Sequence, residues 1–423
     1  MFTQAQPVLC AAWISGFAEL TLGLAASFTR FFDVRCTFTL VEGREVRTGA
    51  ALFGRRINCD VSVVSADNVV STYLILIEQC SIVSPMHRSP GRFFAIVAMM
   101  ITSVALASQS LASAAIRPQF VNWPAAFAQS VVTPEALPVG TNDWTCRPNA
   151  THPRPVVLIH GTWENALSTW SGMAPALKND GDCVFTLNFG RSNVLEQGGL
   201  ASILPGAYGA RPIDESAKEV AAFIDRVLAA TGARQVDLVG HSQGGIVARQ
   251  YLKFDGGANP TDPSQNKVRK LITIAATNHG TTLDGLGTLD RIIRDQARIN
   301  LDPMLNYPVG VSGVQQIYDS PFLRRLNASG DTMPGIEYTA IASKYDEVST
   351  PYFWTFLEAG PGATVRNITL QDGCHQDNSE HLSIDYSPRA IDWVRHTLTP
   401  DQLPAGKIRC VYNSPIFGYS EGV

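Results

Sequence analysis

Ser242 stands between Gly240 and Gly244 in the stretch VDLVGHSQGG, Val236–Gly245. An apolar run that ends on a serine walled in by glycines fits the G-x-S-x-G pattern of a sharp strand-to-helix turn. Such a turn lifts the hydroxyl clear of a sheet's edge. A hydroxyl there is a weak nucleophile until a positioned base takes its proton and an acid orients the base. The partners should follow in the chain order serine, acid, histidine, each on a loop after a later strand. Asp346 suits the acid, because KYDEVSTP directly follows the strand-like run GIEYTAIAS. His381 suits the base, in QDGCHQDNSEHLSIDYSP, between the last strand-like run and the closing helix-like one. Glu347 and His375 are the nearby rivals. Glu347 would point elsewhere on an extended loop, and His375 follows a cysteine expected in a disulfide. His241, beside the nucleophile, reads as packing within the elbow, and His152 and His396 read as surface residues.

Attack by such a serine also needs donors for the oxyanion that forms. HGTW, His160–Trp163, ends the first strand-like run in a glycine-softened turn. The backbone N–H of Thr162, with that of Gln243 after the nucleophile, could form the hole. A plain strand-ending turn is the alternative reading of the same residues.

The elements that must position these groups alternate. PVVLIHG (155–161) and CVFTLNFG (183–190) read as buried strands, with the helical ALSTWSGMAPALKNDG between them. PIDESAKEVAAFIDRVLAATGA (212–233) has amphipathic spacing, acids in its first turn and Gly232 after its last. The nucleophile's strand and the helix GIVARQYLKF follow. The remaining strands are KVRKLITIAA (267–276), GIEYTAIAS (335–343) and ATVRNITLQ (363–371), and SPRAIDWVRHTL (387–398) closes as a helix. Strands alternating with helices predict an α/β fold with a mostly parallel sheet covered on both faces, one domain over 115–423. Residues 281–334 break the alternation with the amphipathic LDRIIRDQARI and a looser Gly/Pro/Asn-rich stretch. So long an excursion between strands is either a lid over the site or a surface insertion.

Composition narrows the classes. The chain has 423 residues, 45% hydrophobic and 17% charged, with a formal net charge of −4. That is globular composition without a basic surface, which argues against nucleic acid as a partner. No dinucleotide fingerprint, P-loop, H-E-x-x-H or C-x-x-C spacing occurs, so no cofactor or metal is expected. The stretch from Met86 has a basic start (Arg88, Arg92), an apolar run from Phe93 to about Leu106 and small residues at Ala112-Ser113-Ala114. Residues 86–114 therefore have the order and length of a secretory signal peptide. The 85 residues before it contain no lysine and show no sustained helix or strand period, and are expected to be a non-native, poorly packed upstream extension, with translation starting at Met86. Their segment PVLCAAWISGFAELTLGLAASF is nearly long enough to span a membrane, but Glu19 interrupts it. The exported part keeps Cys146, Cys183, Cys374 and Cys410, which permit three pairings. Proximity favours Cys146–Cys183 with Cys374–Cys410.

VLIHGTWENALSTWSGMAPAL, VDLVGHSQGG, ATNHGTT, SKYDEVSTPY and EHLSIDYSP together resemble the secreted class 2 lipases of bacteria, within the α/β-hydrolase superfamily. The resemblance runs from about residue 117 to the C-terminus in chain order. It implies a secreted hydrolase of acylglycerols or related esters, acting on lipid at an oil–water interface, with no stable membrane span in the mature protein. It also implies Ser242, Asp346 and His381 as the triad and Thr162 and Gln243 as oxyanion donors. Polyester, sterol-ester or phospholipid hydrolysis by the same triad, or a fold kept for binding without turnover, are the other readings of these motifs.

Overall fold

Val156–Ile159 and Val236–His241 are buried at every position, as strands covered on both faces must be. They belong to a computed structural model that describes residues 34–42, 47–52, 58–65, 74–82, 115–282 and 302–419, the first four ranges and 302–308 as backbone only. The signal-like stretch 86–114 lies outside the described residues, as does all of LDRIIRDQARI.

The chain divides into two units, 1–112 and 113–423. In the first, β1 (Val34–Glu42), β2 (Arg47–Leu52), β3 (Asn58–Ser65) and β4 (Leu74–Ile82) form a sheet in the order β2-β3-β1-β4. β1 and β3 are parallel, and the other two pairings are antiparallel. The sequence showed no sustained strand period here. Each of these runs is rich in Val, Ile, Leu and Thr but alternates over only part of its length, so the period-2 signal is weak.

The second unit follows the alternating order, element by element. Helix α1 (Trp123–Val132) leads to strand β5 (Val156–Ile159), helices α2 (Ala166–Trp170) and α3 (Met173–Asp180), and strand β6 (Val184–Thr186). Then come α4 (Ile213–Thr231), β7 (Val236–His241), α5 (Gln243–Phe254) and β8 (Val268–Ile274). After α6 (Asp302–Gln315) and α7 (Pro321–Asn327), the chain closes with β9 (Glu337–Ala342), β10 (Thr364–Thr369) and α8 (Pro388–Leu398). The six strands lie in the order β10-β9-β8-β7-β5-β6, every pairing parallel, which is the arrangement of an α/β-hydrolase. The strands are shorter than the apolar runs that announced them, because the ends of those runs turn off the sheet as loops.

Side-chain alternation divides the core between two faces. Val157, Ile159, Leu238 and Leu271 meet Ile224 of α4 and Val247 of α5, whereas Val156, Leu158, Val239 and Ile272 meet Trp170, Leu177 and Val394 on the other side. The long helix α4 carries acids Asp214 and Glu215 in its first turn and ends on Gly232 at φ +73°, where a left-handed cap favours glycine. Among the described residues two disulfides are present, Cys146–Cys183 and Cys374–Cys410. His152, expected on the surface, is buried instead: the turn at Gly181 closes over its ring and Asp182 bonds it at 2.7 Å. Among the described residues no helix is long and apolar enough to cross a membrane.

Candidate active site

The parallel sheet presents the carboxyl ends of its middle strands at one edge, where loops gather side chains from distant parts of the chain. At the end of β7, Ser242 is the N-cap of α5, with φ 52° and ψ −124°. That strained corner is held by its N–H donating to Ile274 O at 2.9 Å. Glycine is required around it: a Cβ on Gly244 would lie 2.1 Å from Ile159 O, and one on Gly240 would lie 2.6 Å from the Gly244 carbonyl carbon.

The loop after β9 brings Asp346, and the loop before α8 brings His381. Asp346 Oδ1 accepts from the N–H groups of Val348 and Ser349, at 2.9 and 2.7 Å. His381 Nδ1 lies 3.0 Å from both Asp346 oxygens, and its Nε2 lies 3.0 Å from Ser242 Oγ. A carboxylate can only accept, so the ring proton sits on Nδ1 and Nε2 can receive the serine proton. Ser242, Asp346 and His381 are each no more than 6% exposed. His375 and Glu347 are exposed and do not join this chain of bonds.

The turn after β5 meets Ser242 directly: a Cβ on Gly161 would lie 2.9 Å from Ser242 Cβ. Thr162 follows. Its Oγ1 accepts from Gln243 Nε2 at 3.0 Å and from Gln316 Nε2 at 2.7 Å. Among the described residues the backbone N–H groups of Thr162 and Gln243 have no partner. Gln316 comes from the excursion between β8 and β9, and the sequence had not singled it out. The same excursion pairs Thr281 with Ile317 and bonds Val311 N–H to Gln197 O, so its described part packs beside the turn at Thr162.

Further groups lie beneath Ser242, Asp346 and His381. His160, in the turn after β5, stacks on Phe189, and burial pulls its ring down to about 4, so it is neutral. His241 bonds Glu164 Oε2 through Nδ1 and the His381 carbonyl through Nε2, both at 2.9 Å. The sequence read His241 as packing only. Glu164 and Asp385, which face it, carried no motif at all. Burial alone would raise the Glu164 carboxyl, but the His241 charge and hydrogen bond outweigh it and hold it at about 2. Burial alone would discharge His241, but the carboxylates of Asp385 and Glu164 and its two hydrogen bonds hold it at about 10. Burial also drives Asp385 well above the ordinary carboxylate range, against the pull of His241.

Residues 153–381 match the family described as Lipase (class 2). A triacylglycerol lipase of Pseudarthrobacter phenanthrenivorans is 33% identical over 100 residues, 22% of this chain and 27% of that protein. Another, of Burkholderia plantarii, is 33% identical over 100 residues, 22% of this chain and 24% of that protein. The chain thus spans about a quarter of the length of these curated relatives. The crystal structure of Aspergillus fumigatus lipase B is 20% identical and overlays with a TM-score of 0.45, covering 67% of this chain and 62% of that one.

Proposed function

Because the chain belongs to the class 2 lipases, we propose that it is a secreted serine hydrolase that cleaves carboxylic esters of lipids through an acyl-enzyme on Ser242. The observation that carries this reading is the unbroken hydrogen-bonded chain from Asp346 through His381 to Ser242. His381 takes the proton of Ser242 as Oγ attacks the ester carbonyl, and the N–H groups of Thr162 and Gln243 receive the oxyanion. The imidazolium returns its proton to the leaving alcohol, and water deacylates the enzyme through the same histidine. Each oxyanion donor is worth about 10²–10³ in turnover.

The relatives' description as triacylglycerol lipases supports acylglycerols as the substrate class. Leu195 and Ile203 are 95% and 71% exposed, on the loop whose Gly198 carbonyl accepts from the Trp163 indole beside the site. These exposed apolar side chains on that loop support action at an oil–water interface. Two disulfides support an oxidising compartment, and residues 86–114 would direct export. N-terminal sequencing of the exported protein should then begin near Ala115, and a start near Met1 would remove the signal reading.

Ser242→Ala should reduce turnover of p-nitrophenyl esters and emulsified triacylglycerol by about 10⁴-fold or more and abolish fluorophosphonate labelling. Full activity in that variant would overturn the assignment.

A further inference from the structure

His241 is the one ring next to the nucleophile that the mechanism above leaves without a task, yet it is 0% exposed and bonded on both sides. Its Nε2 faces the main-chain carbonyl of His381, and its Nδ1 faces Glu164 Oε2 at 2.9 Å with Asp385 Oδ2 at 3.2 Å. A carbonyl and a carboxylate only accept, so each nitrogen must bring a hydrogen, and the ring is an imidazolium.

Glu164 has the surroundings of its counter-ion. It accepts from His241 Nδ1–H, from Gly161 N–H at 3.0 Å, from the Thr169 hydroxyl at 3.1 Å and from the Trp123 indole at 3.0 Å. Four donors around one buried carboxylate hold it ionised. The Asp385 oxygens, by contrast, have no hydrogen-bond partner; Oδ2 comes only within 3.2 Å of His241 Nδ1, and burial pushes this carboxyl well above the ordinary range. The cluster therefore contains one buried cation and one buried anion.

This pair reaches the turn before Thr162, the elbow at Ser242 and the backbone of His381. Glu164 grips the N–H of Gly161, one residue before the oxyanion donor Thr162. His241 is the residue before Ser242 and holds the backbone of the base, with its ring 4.9 Å from the His381 ring, centroid to centroid. We propose that Glu164 and His241 are positioning residues: a buried ionic bridge that locks the oxyanion turn and the catalytic base against the nucleophile elbow. The proposal rests on the serine-hydrolase reading of the same site.

The bridge places a fixed positive charge beside the base, and that charge can be read out. Facing His241 are Glu164 from the loop after β5, Asp385 from the turn before α8, His381, and His160 at the end of β5. Facing His381 are Asp346, Ser242 and His241, with Glu164 and Glu380 nearby and Tyr386 beside Asp385. Removing the imidazolium favours the protonated form of His381, so the acidic limb of kcat/KM moves to higher pH. A neutral ring kept for packing would leave that limb in place.

The test joins the wild-type protein to His241→Gln, which keeps an amide donor but no charge. In ¹⁵N-histidine-labelled wild type, the ring assigned through its contact with the His381 ring should carry protons on both nitrogens at pH 8. In His241→Gln, kcat should fall roughly tenfold to hundredfold with KM nearly unchanged, as misplaced catalytic groups give. The acidic limb should rise by about one pH unit. A singly protonated His241 at pH 8 in the wild type overturns the bridge, whether or not the variant folds. A folded His241→Gln with an unmoved limb overturns it equally. Activity surviving in Ser242→Ala would instead remove the hydrolase reading and leave the protonation result standing, so the two failures are distinguishable.

Discussion

The two ends of the six-stranded sheet use the same kinds of side chain to opposite ends. At the amino edge, Arg154 meets both oxygens of Asp237 through Nε at 2.9 Å, His152 meets Asp182 at 2.7 Å, and Cys146 is bonded to Cys183. These pairs are closed: each joins one strand's entry to its neighbour's and presents nothing to a substrate. At the carboxyl edge, the Asp346–His381 pair ends on a hydroxyl, and the Thr162 and Gln243 N–H groups remain unpartnered among the described residues. The paired side chains at the first edge hold strands together, and those at the second gather around one hydroxyl.

That division should survive mutation. The largest effect is expected from Asp346→Asn, which keeps the shape but not the tautomer of His381. It should lower kcat by about 10⁴-fold with the thermal midpoint nearly unchanged. At the other edge, Arg154→Met would strand the buried Asp237 carboxyl, which burial already pushes upward. Urea unfolding should show a loss of about 3–5 kcal/mol with kcat intact. Replacing Cys146 and Cys183 together by alanine reopens a loop of sequence separation 37 and should lose somewhat less, about 2–4 kcal/mol, again with kcat intact. If Arg154→Met lowered kcat as strongly as stability, the two edges would not be independent.

The carboxyl edge was the more legible in sequence, and the reason is local. Gly240, Ser242 and Gly244 are confined to one turn by steric contacts that only glycine relieves, so their spacing carries a signal. Asp346 and His381 follow strand-like runs in the required order, which narrowed the acid to Asp346 or Glu347 and the base to His375 or His381. Glu164 and Asp385 had no such signal. They meet His241 across 77 and 144 positions of chain, and an acid inside HGTWEN looks like any acid in a loop. His152 was misread because nothing near it in sequence announces the turn at Gly181 that covers it. In the first unit, short, partly alternating runs left four strands unannounced.

The last effect concerns the same buried bridge and is spread over the alkaline side. Folding raises His241 from an ordinary 6.5 to about 10, so its contribution is fully present below 6.5 and is lost as pH rises through 10. Folding lowers Glu164 from 4.5 to about 2, so its contribution is present above 4.5 and is lost as pH falls through 2. The pair therefore stabilises fully between about 4.5 and 6.5. Above that window the unfolding free energy should decline, by no more than about 1.4 kcal/mol per pH unit, because one proton is released on unfolding. Urea melts at pH 6, 8 and 10 should show this slope in the wild type and in the Cys146 and Cys183 double-alanine variant, whose lost bridge lies at the other edge and leaves no titrating group. His241→Gln should lack it. An equal slope in all three proteins would mean that the alkaline loss belongs to other groups, and that the carboxyl edge is no more ionic in its framework than the amino edge.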